Sequence, residues 1–172
     1  MSFVVRAAVL SLVAVVAFSC GGCATLRAAP DLTSDEAESQ TIAYLDHSVA
    51  GIDKSLIASL EGLSSVTYTC YPPQADPDGS IIARHIRQDI RLTDEAVALD
   101  VLNEILAGFD KSEWSIGEIE DFMGEAGSGV VSLSTATGQY DSSYSLRITA
   151  SPKDTGPATI HVLAMSPCFE TK

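Results

Sequence analysis

Residues 129–165 read GVVSLSTATGQYDSSYSLRITASPKDTGPATIHVLAM. Three runs of alternating apolar and polar residues, at about 130–136, 143–150 and 158–165, are separated by the short polar connections GQYD and PKDTG. Period-two alternation broken by turn residues specifies adjacent strands joined as hairpins, and hence an antiparallel meander. Upstream, Ile42, Leu45, Val49, Ile52, Leu56 and Leu60 recur every three or four residues and predict a helix over 34–60. Thr33 and Glu36 have capping-box spacing at its start, and Gly62 suits its stop. A strand over 65–71 follows, then the turn-rich YPPQADPDG, then a strand over 83–92. A second helix over 94–107 buries Ala98, Val101, Leu102, Ile105 and Phe109 and ends at Gly108. Residues 111–129 leave two readings open: a short helix boxed by Ser115 and Glu118, or a strand beginning at Trp114 and Ile116.

The resulting order, α-β-β-α-β-β-β with hairpin connections, predicts an α+β two-layer sandwich: a mainly antiparallel five-stranded sheet with two helices across one face. The 172 residues suffice for one such domain, over 33–172. Hydrophobic residues make up 46% and charged residues 19%, the balance of a folded domain rather than a disordered chain. Acidic residues outnumber basic ones 23 to 10, a formal charge of −13 that repels phosphate backbones and excludes general nucleic-acid binding.

The N-terminal stretch has a different character. Arg6 is followed by the apolar run AAVLSLVAVVAF, residues 7–18. At about 1.5 Å per residue that helix covers roughly 18 Å, short of the roughly 30 Å hydrocarbon core, so the pattern is that of an export signal rather than a span. At its end stand Ala17, Phe18, Ser19, Cys20, Gly21 and Gly22. This segment resembles the lipobox of bacterial lipoproteins, in which the cysteine receives a diacylglyceryl thioether and becomes the first residue after cleavage. The resemblance covers residues 1–22. It implies a signal peptide over 1–19, lipidation at Cys20, a lipidated tether over 20–32, and a domain held by that anchor on the extracytoplasmic face of the cell membrane. Cys23 is a second candidate, but it starts further from the apolar run. The rest of the chain looks like the small actinobacterial lipoproteins of unassigned activity, a likeness that supplies no function.

Export places the remaining thiols where disulfides persist. Cys70 ends the alternating segment SVTYTCY, in which Val66, Tyr68 and Cys70 share a face; the parity of Ala158, Ile160, Val162 and Ala164 continues to Cys168. Both thiols are thus expected on one apolar side, joined as a Cys70–Cys168 disulfide. Cys20 and Cys23 form a CxxC pair, yet no further ligand pair follows, so no metal site is expected.

On the sheet face opposite the helices, strand parity places Thr67 and Thr69, Arg87, Asp89 and Arg91, Ser145, Arg147 and Thr149, and Thr159 and His161, with Leu163 and Met165 at one end. Arg87, Arg91, Arg147 and His161 are the candidate ligand-binding residues, because guanidinium forks match carboxylates and phosphates. The competing reading is that Asp89 and other acids pair with these arginines on a solvated face. No nucleophile elbow, HExxH or phosphate-binding loop is present, so no catalytic residue and no cofactor is assigned. ADPDGS begins like a calcium loop, but Arg87 falls where the bidentate glutamate belongs, and it reads as a turn. The sequence therefore leads to a non-catalytic envelope lipoprotein that binds an anionic ligand or an envelope protein. Two alternatives stand beside it: a hydrolase using the acids Glu118, Glu120, Asp121 and Glu125, and a structural accessory of an envelope assembly.

Overall fold

A computed structural model of the chain describes residues 29, 31–94, 96–120, 128–135, 143–152 and 157–171. The expected signal, Cys20, Cys23 and most of the tether lie outside the described residues, as do Asp121 and Glu125. The elements are α1 (Ser34–Ala50), a single 3-10 turn (Lys54–Leu56), β1 (Ile57–Thr69), β2 (Ile81–Leu92), α2 (Ala98–Ala107), β3 (Trp114–Ile116), β4 (Gly129–Thr135), β5 (Ser145–Ser151), β6 (Thr159–Met165) and β7 (Phe169–Glu170). All strands join one antiparallel sheet in the order β1-β2-β6-β5-β4-β3, with β7 pairing the end of β2. The expected α+β class and antiparallel meander hold. Among the described residues the sheet has seven strands rather than five, because β3 and β7 are three and two residues long, too short for alternation to register.

α1 packs across β2 and β6, and α2 across β5 and β6. Between the layers, Ile86, Ile90, Leu102, Ile105, Leu133, Leu146, Ile148 and Ile160 are fully buried. Each such side chain contributes about 1.5–3 kcal/mol relative to exposure, so this interior holds the layers together. The capping box at Thr33 and Glu36 forms as expected. The innermost line of α1 is Ala37, Thr41, Leu45 and Ser48; of the expected stripe Leu45 lies on this line, and Ile42 and Val49 pack partly buried beside it. The Thr41 hydroxyl donates to the Ala37 carbonyl at 2.5 Å and the Ser48 hydroxyl to the Tyr44 carbonyl at 3.0 Å, so both buried hydroxyls are satisfied within the helix.

α1 stops at Ala50, ten residues before its expected end. Asp53 caps a separate 3-10 turn, and from Ile57 the chain pairs with β2 beginning at Leu92. Leu56 and Leu60 continue the helical spacing but belong to the turn and the strand, because a four-residue interval satisfies both periods. β1 also changes face along its length. Glu61 lies opposite Asp89 and Ser64 opposite Arg87, so an extra residue on β1 shifts the register between them. Gly62 sits at this bulge with φ +67, a conformation that favours glycine. Beyond it Val66 and Tyr68 lie opposite His85 and Ala83, on the face without helices, while Thr67 and Thr69 lie opposite Arg84 and Ile82 on the helix side. This reverses the facing expected for all four.

Cys70 and Cys168 stand at disulfide distance, S–S 2.14 Å and Cα–Cα 6.1 Å, 98 residues apart in sequence. The two alternating runs do not share one apolar side as expected, since Val66 and Tyr68 are exposed whereas Ala158, Ile160, Val162 and Ala164 are buried beneath the helices. The geometry is instead a clasp over β2. Ile82 lies between Thr69 of β1 and Phe169 of β7, and the two cysteines flank those residues.

Candidate functional site

The open face of the sheet is laid out in rows by the antiparallel register. One row runs Ser64, Arg87, Leu163, Arg147 and Ser132; the next runs Glu61, Asp89, His161, Thr149 and Val130. Toward the disulfide, Tyr68 and Ala83 face each other, His85 lies between Val66 and Met165, and Met165 also faces Ser145. Leu163 and Met165 lie on this face as expected.

The charged half is internally paired. Arg87 donates from Nε to Asp89 Oδ1 at 2.8 Å and from Nη2 to Oδ2 at 3.1 Å, a two-pronged contact. His161 Nδ1 lies 2.8 Å from the same Oδ1, and Arg87 Nη2 lies 3.3 Å from that ring nitrogen. Burial pushes the Asp89 carboxyl up, but the bonds and charges of Arg87 and His161 outweigh it, and the group is held below the usual carboxylate range. The same contact raises Arg87. Arg91 Nε lies 3.3 Å from Glu61 Oε1. Of the four expected ligand residues, Arg87, Arg91 and His161 therefore have acidic partners. Arg147 has none within ion-pairing distance among the described residues, and it borders a small cleft with Glu118 and Glu120.

The other half is a cleft of about 350 Å³ lined by Tyr68, Ala83, His85, Ser145 and Met165 and closed at one end by Cys70 and Cys168. The Tyr68 and His85 rings lie 4.3 Å apart, and burial lowers the His85 imidazole below its ordinary range. A wider depression of about 800 Å³ lies along the start of α1, bordered by Asp31, Asp35, Glu36, Tyr44 and Tyr144. Tyr44 stands edge-on to both Trp114 and Tyr144, at 4.9 and 5.2 Å.

Other candidate features have structural roles. The Asp76 carboxylate accepts from the Ser80 and Ile81 N–H groups at 3.2 and 2.8 Å, and Gly79 has φ +61; the segment is the expected turn. His47 Nε2 lies 3.1 Å from the Gly108 carbonyl, tying α1 to the end of α2. Glu118 and Glu120 are exposed. Among the described residues no group of three or more His, Cys, Asp or Glu could hold a metal ion, and no helix is long and apolar enough to cross a membrane.

Sequence reading missed Glu61 as the partner of Arg91, because 61 fell next to a predicted helix end. It also missed the Tyr68–His85 pair, because the bulge moves Tyr68 to the open face. A glycine between Glu61 and an alternating run was the available signal for the bulge. Compared with protein-family models, with curated proteins and with solved structures, the chain matches none.

Proposed function

We propose that this chain is an extracytoplasmic lipoprotein, anchored in the cell membrane through Cys20, whose folded domain is a non-catalytic module that binds a ligand or an envelope protein on its open sheet face. The observation that carries the reading is the approach of Cys70 to Cys168, because a disulfide that staples a domain persists in oxidising compartments and is rare where thiols are kept reduced. The N-terminal pattern of Arg6, a short apolar run and Ser19-Cys20-Gly21 supports the same compartment and supplies the attachment. Acylation adds about 0.8 kcal/mol per buried methylene, so two or more chains make attachment stable.

The open face supports binding better than catalysis. Its Asp89–His161 pair is saturated by Arg87, and the adjoining cleft is lined mainly by apolar and aromatic groups. Within the candidate ligand set, Arg147 has no acid at ion-pairing distance among the described residues and is the position offered to an anionic group, whereas Arg87, Arg91 and His161 supply a pre-arranged but neutralised border. The test is metabolic labelling with a palmitate analogue in a bacterial host. The wild-type chain should take up label and sediment with membranes, and Cys20→Ala should lose both. Label retained by Cys20→Ala, or an unlabelled wild-type chain that washes free, overturns the anchor.

A further inference from the structure

The two edges of the sheet are unlike. The β3 edge is three residues long. The β1 edge is thirteen residues, about 44 Å at about 3.4 Å per residue, and its last ten residues are all exposed. Leu60, Leu63, Val66 and Tyr68 along it are 52, 64, 47 and 52% exposed. Long edges normally carry lysines, prolines, inward charges or bulges that block pairing with another chain. β1 has its bulge at Gly62, and beyond it residues 63–69 carry none of these devices; the one charge of the strand, Glu61, is matched by Arg91.

We infer that β1 is an interface between two copies of this chain, paired antiparallel about a twofold axis at Thr67. The Cys70 N–H donates inward to the Ile81 carbonyl at 2.9 Å, so by the alternation of an antiparallel ladder the N–H and C=O groups of Ser65, Thr67 and Thr69 point to the free edge. Centring on Thr67 sets these groups against their counterparts, Thr67 to Thr67 and Ser65 to Thr69. The same register sets Tyr68 opposite Val66 of the second copy, twice, on the open face. Aromatic against β-branched is a favourable cross-strand pair.

Charge selects this edge. Two copies at −13 repel, but screening confines that repulsion to about 8 Å at physiological ionic strength. Residues 62–70 carry no charge, and the arginines of the neighbouring β2 are each matched by an acid, Arg84 by Glu38, Arg87 by Asp89 and Arg91 by Glu61. This strip is where two anionic copies meet with least opposition. The contact is isologous and closes at two copies, since each β1 edge is consumed by the other. It stands independently of the lipid anchor.

Sedimentation of the full chain in detergent, corrected for bound detergent, should show twice the single-chain protein mass. Ser65→Pro, which removes an outward N–H without touching the β2 ladder, and Val66→Lys should each lose that doubling while retaining the far-ultraviolet spectrum. Thr67→Cys should give a 67–67 linked peptide by mass spectrometry under mild oxidation, and Asn103→Cys on α2 should not. A single-chain mass at every concentration overturns the inference, as does doubling that survives both edge variants, or a 67–67 link no more abundant than the 103–103 link. A single-chain protein that instead accepts a foreign strand at β1 also overturns it.

Discussion

Breaking the clasp between Cys70 and Cys168 tests the account of what holds this domain closed. The bridge closes a loop of 98 residues; loop-closure entropy in the unfolded chain then gives about 4.7 kcal/mol at 25 °C. That is comparable with the whole stability of a typical domain, about 5–15 kcal/mol. For a domain of about 140 residues the unfolding entropy is near 0.3 kcal/mol/K, so the loss corresponds to a fall of roughly 15 °C in Tm. The perturbation is the double variant Cys70→Ser/Cys168→Ser, compared with the oxidised full chain by urea unfolding and calorimetry. Local effects should follow the geometry. The Thr171 N–H donates to the Ser80 carbonyl and the Ala29 N–H to the Cys168 carbonyl, at 2.8 and 2.7 Å, so hydrogen exchange should quicken first at 171 and 29. A loss below about 1 kcal/mol, or two alkylatable thiols at these positions in the native chain, would refute the reasoning.

Three further outcomes follow from single residues. Burial lowers His85, so the unfolded chain binds its proton first; the contribution is full above about 6.5 and is lost as pH falls through the lower folded value. His85→Gln should therefore flatten the stability profile below pH 6.5, measured by urea midpoints across a pH series. Asp89 has the same sign at lower pH: its contribution is complete above 3.8 and disappears as the carboxyl protonates. Asp89→Asn should remove that acid-side decline, and an unchanged decline rules out the Arg87–His161 contact as its source. Gly62→Ala places a Cβ at φ +67 and 3.4 Å from Asp89 Oδ2, and should cost about 1–2 kcal/mol in denaturant unfolding. No measurable cost would mean the bulge relaxes.

The parts of the fold legible in the sequence are those where one face is buried over several residues. β5 and β6 alternate cleanly because Leu146, Ile148 and Ala150, and Ile160, Val162 and Ala164, all sit beneath helices. β1 was illegible in its first half for the opposite reason. As an edge strand beyond the helices it has no buried face to impose a period, and Leu56 and Leu60 happened to extend a helical spacing. β7 was hidden because two residues cannot display a period, although Phe169 is fully buried. For the candidate site, parity placed Arg87, Asp89, Arg147 and His161 correctly on one face. It failed for Thr67 and Thr69, where a single extra residue reversed inside and outside. The identity of the counter-charges depended on strand order, which no alternation pattern encodes.

That strand order also constrains what the open face can bind. An anionic group approaching Arg87 must compete with a carboxylate already held by two guanidinium bonds and an imidazole, and one approaching Arg91 must compete with Glu61. Displacing either acid leaves it facing the incoming charge, so these positions favour a ligand that respects the existing pairs. Leu163 separates Arg87 from Arg147 within the same row, and Met165 lies two residues further along β6 beside the Tyr68–His85 cleft. On the reading proposed above, the ligand that requires least displacement has an apolar or aromatic body over Met165 and Leu163 and a single acceptor group directed at Arg147. The charged border then acts chiefly through orientation, because its acids repel any second negative group and leave only one end of such a ligand free to dock.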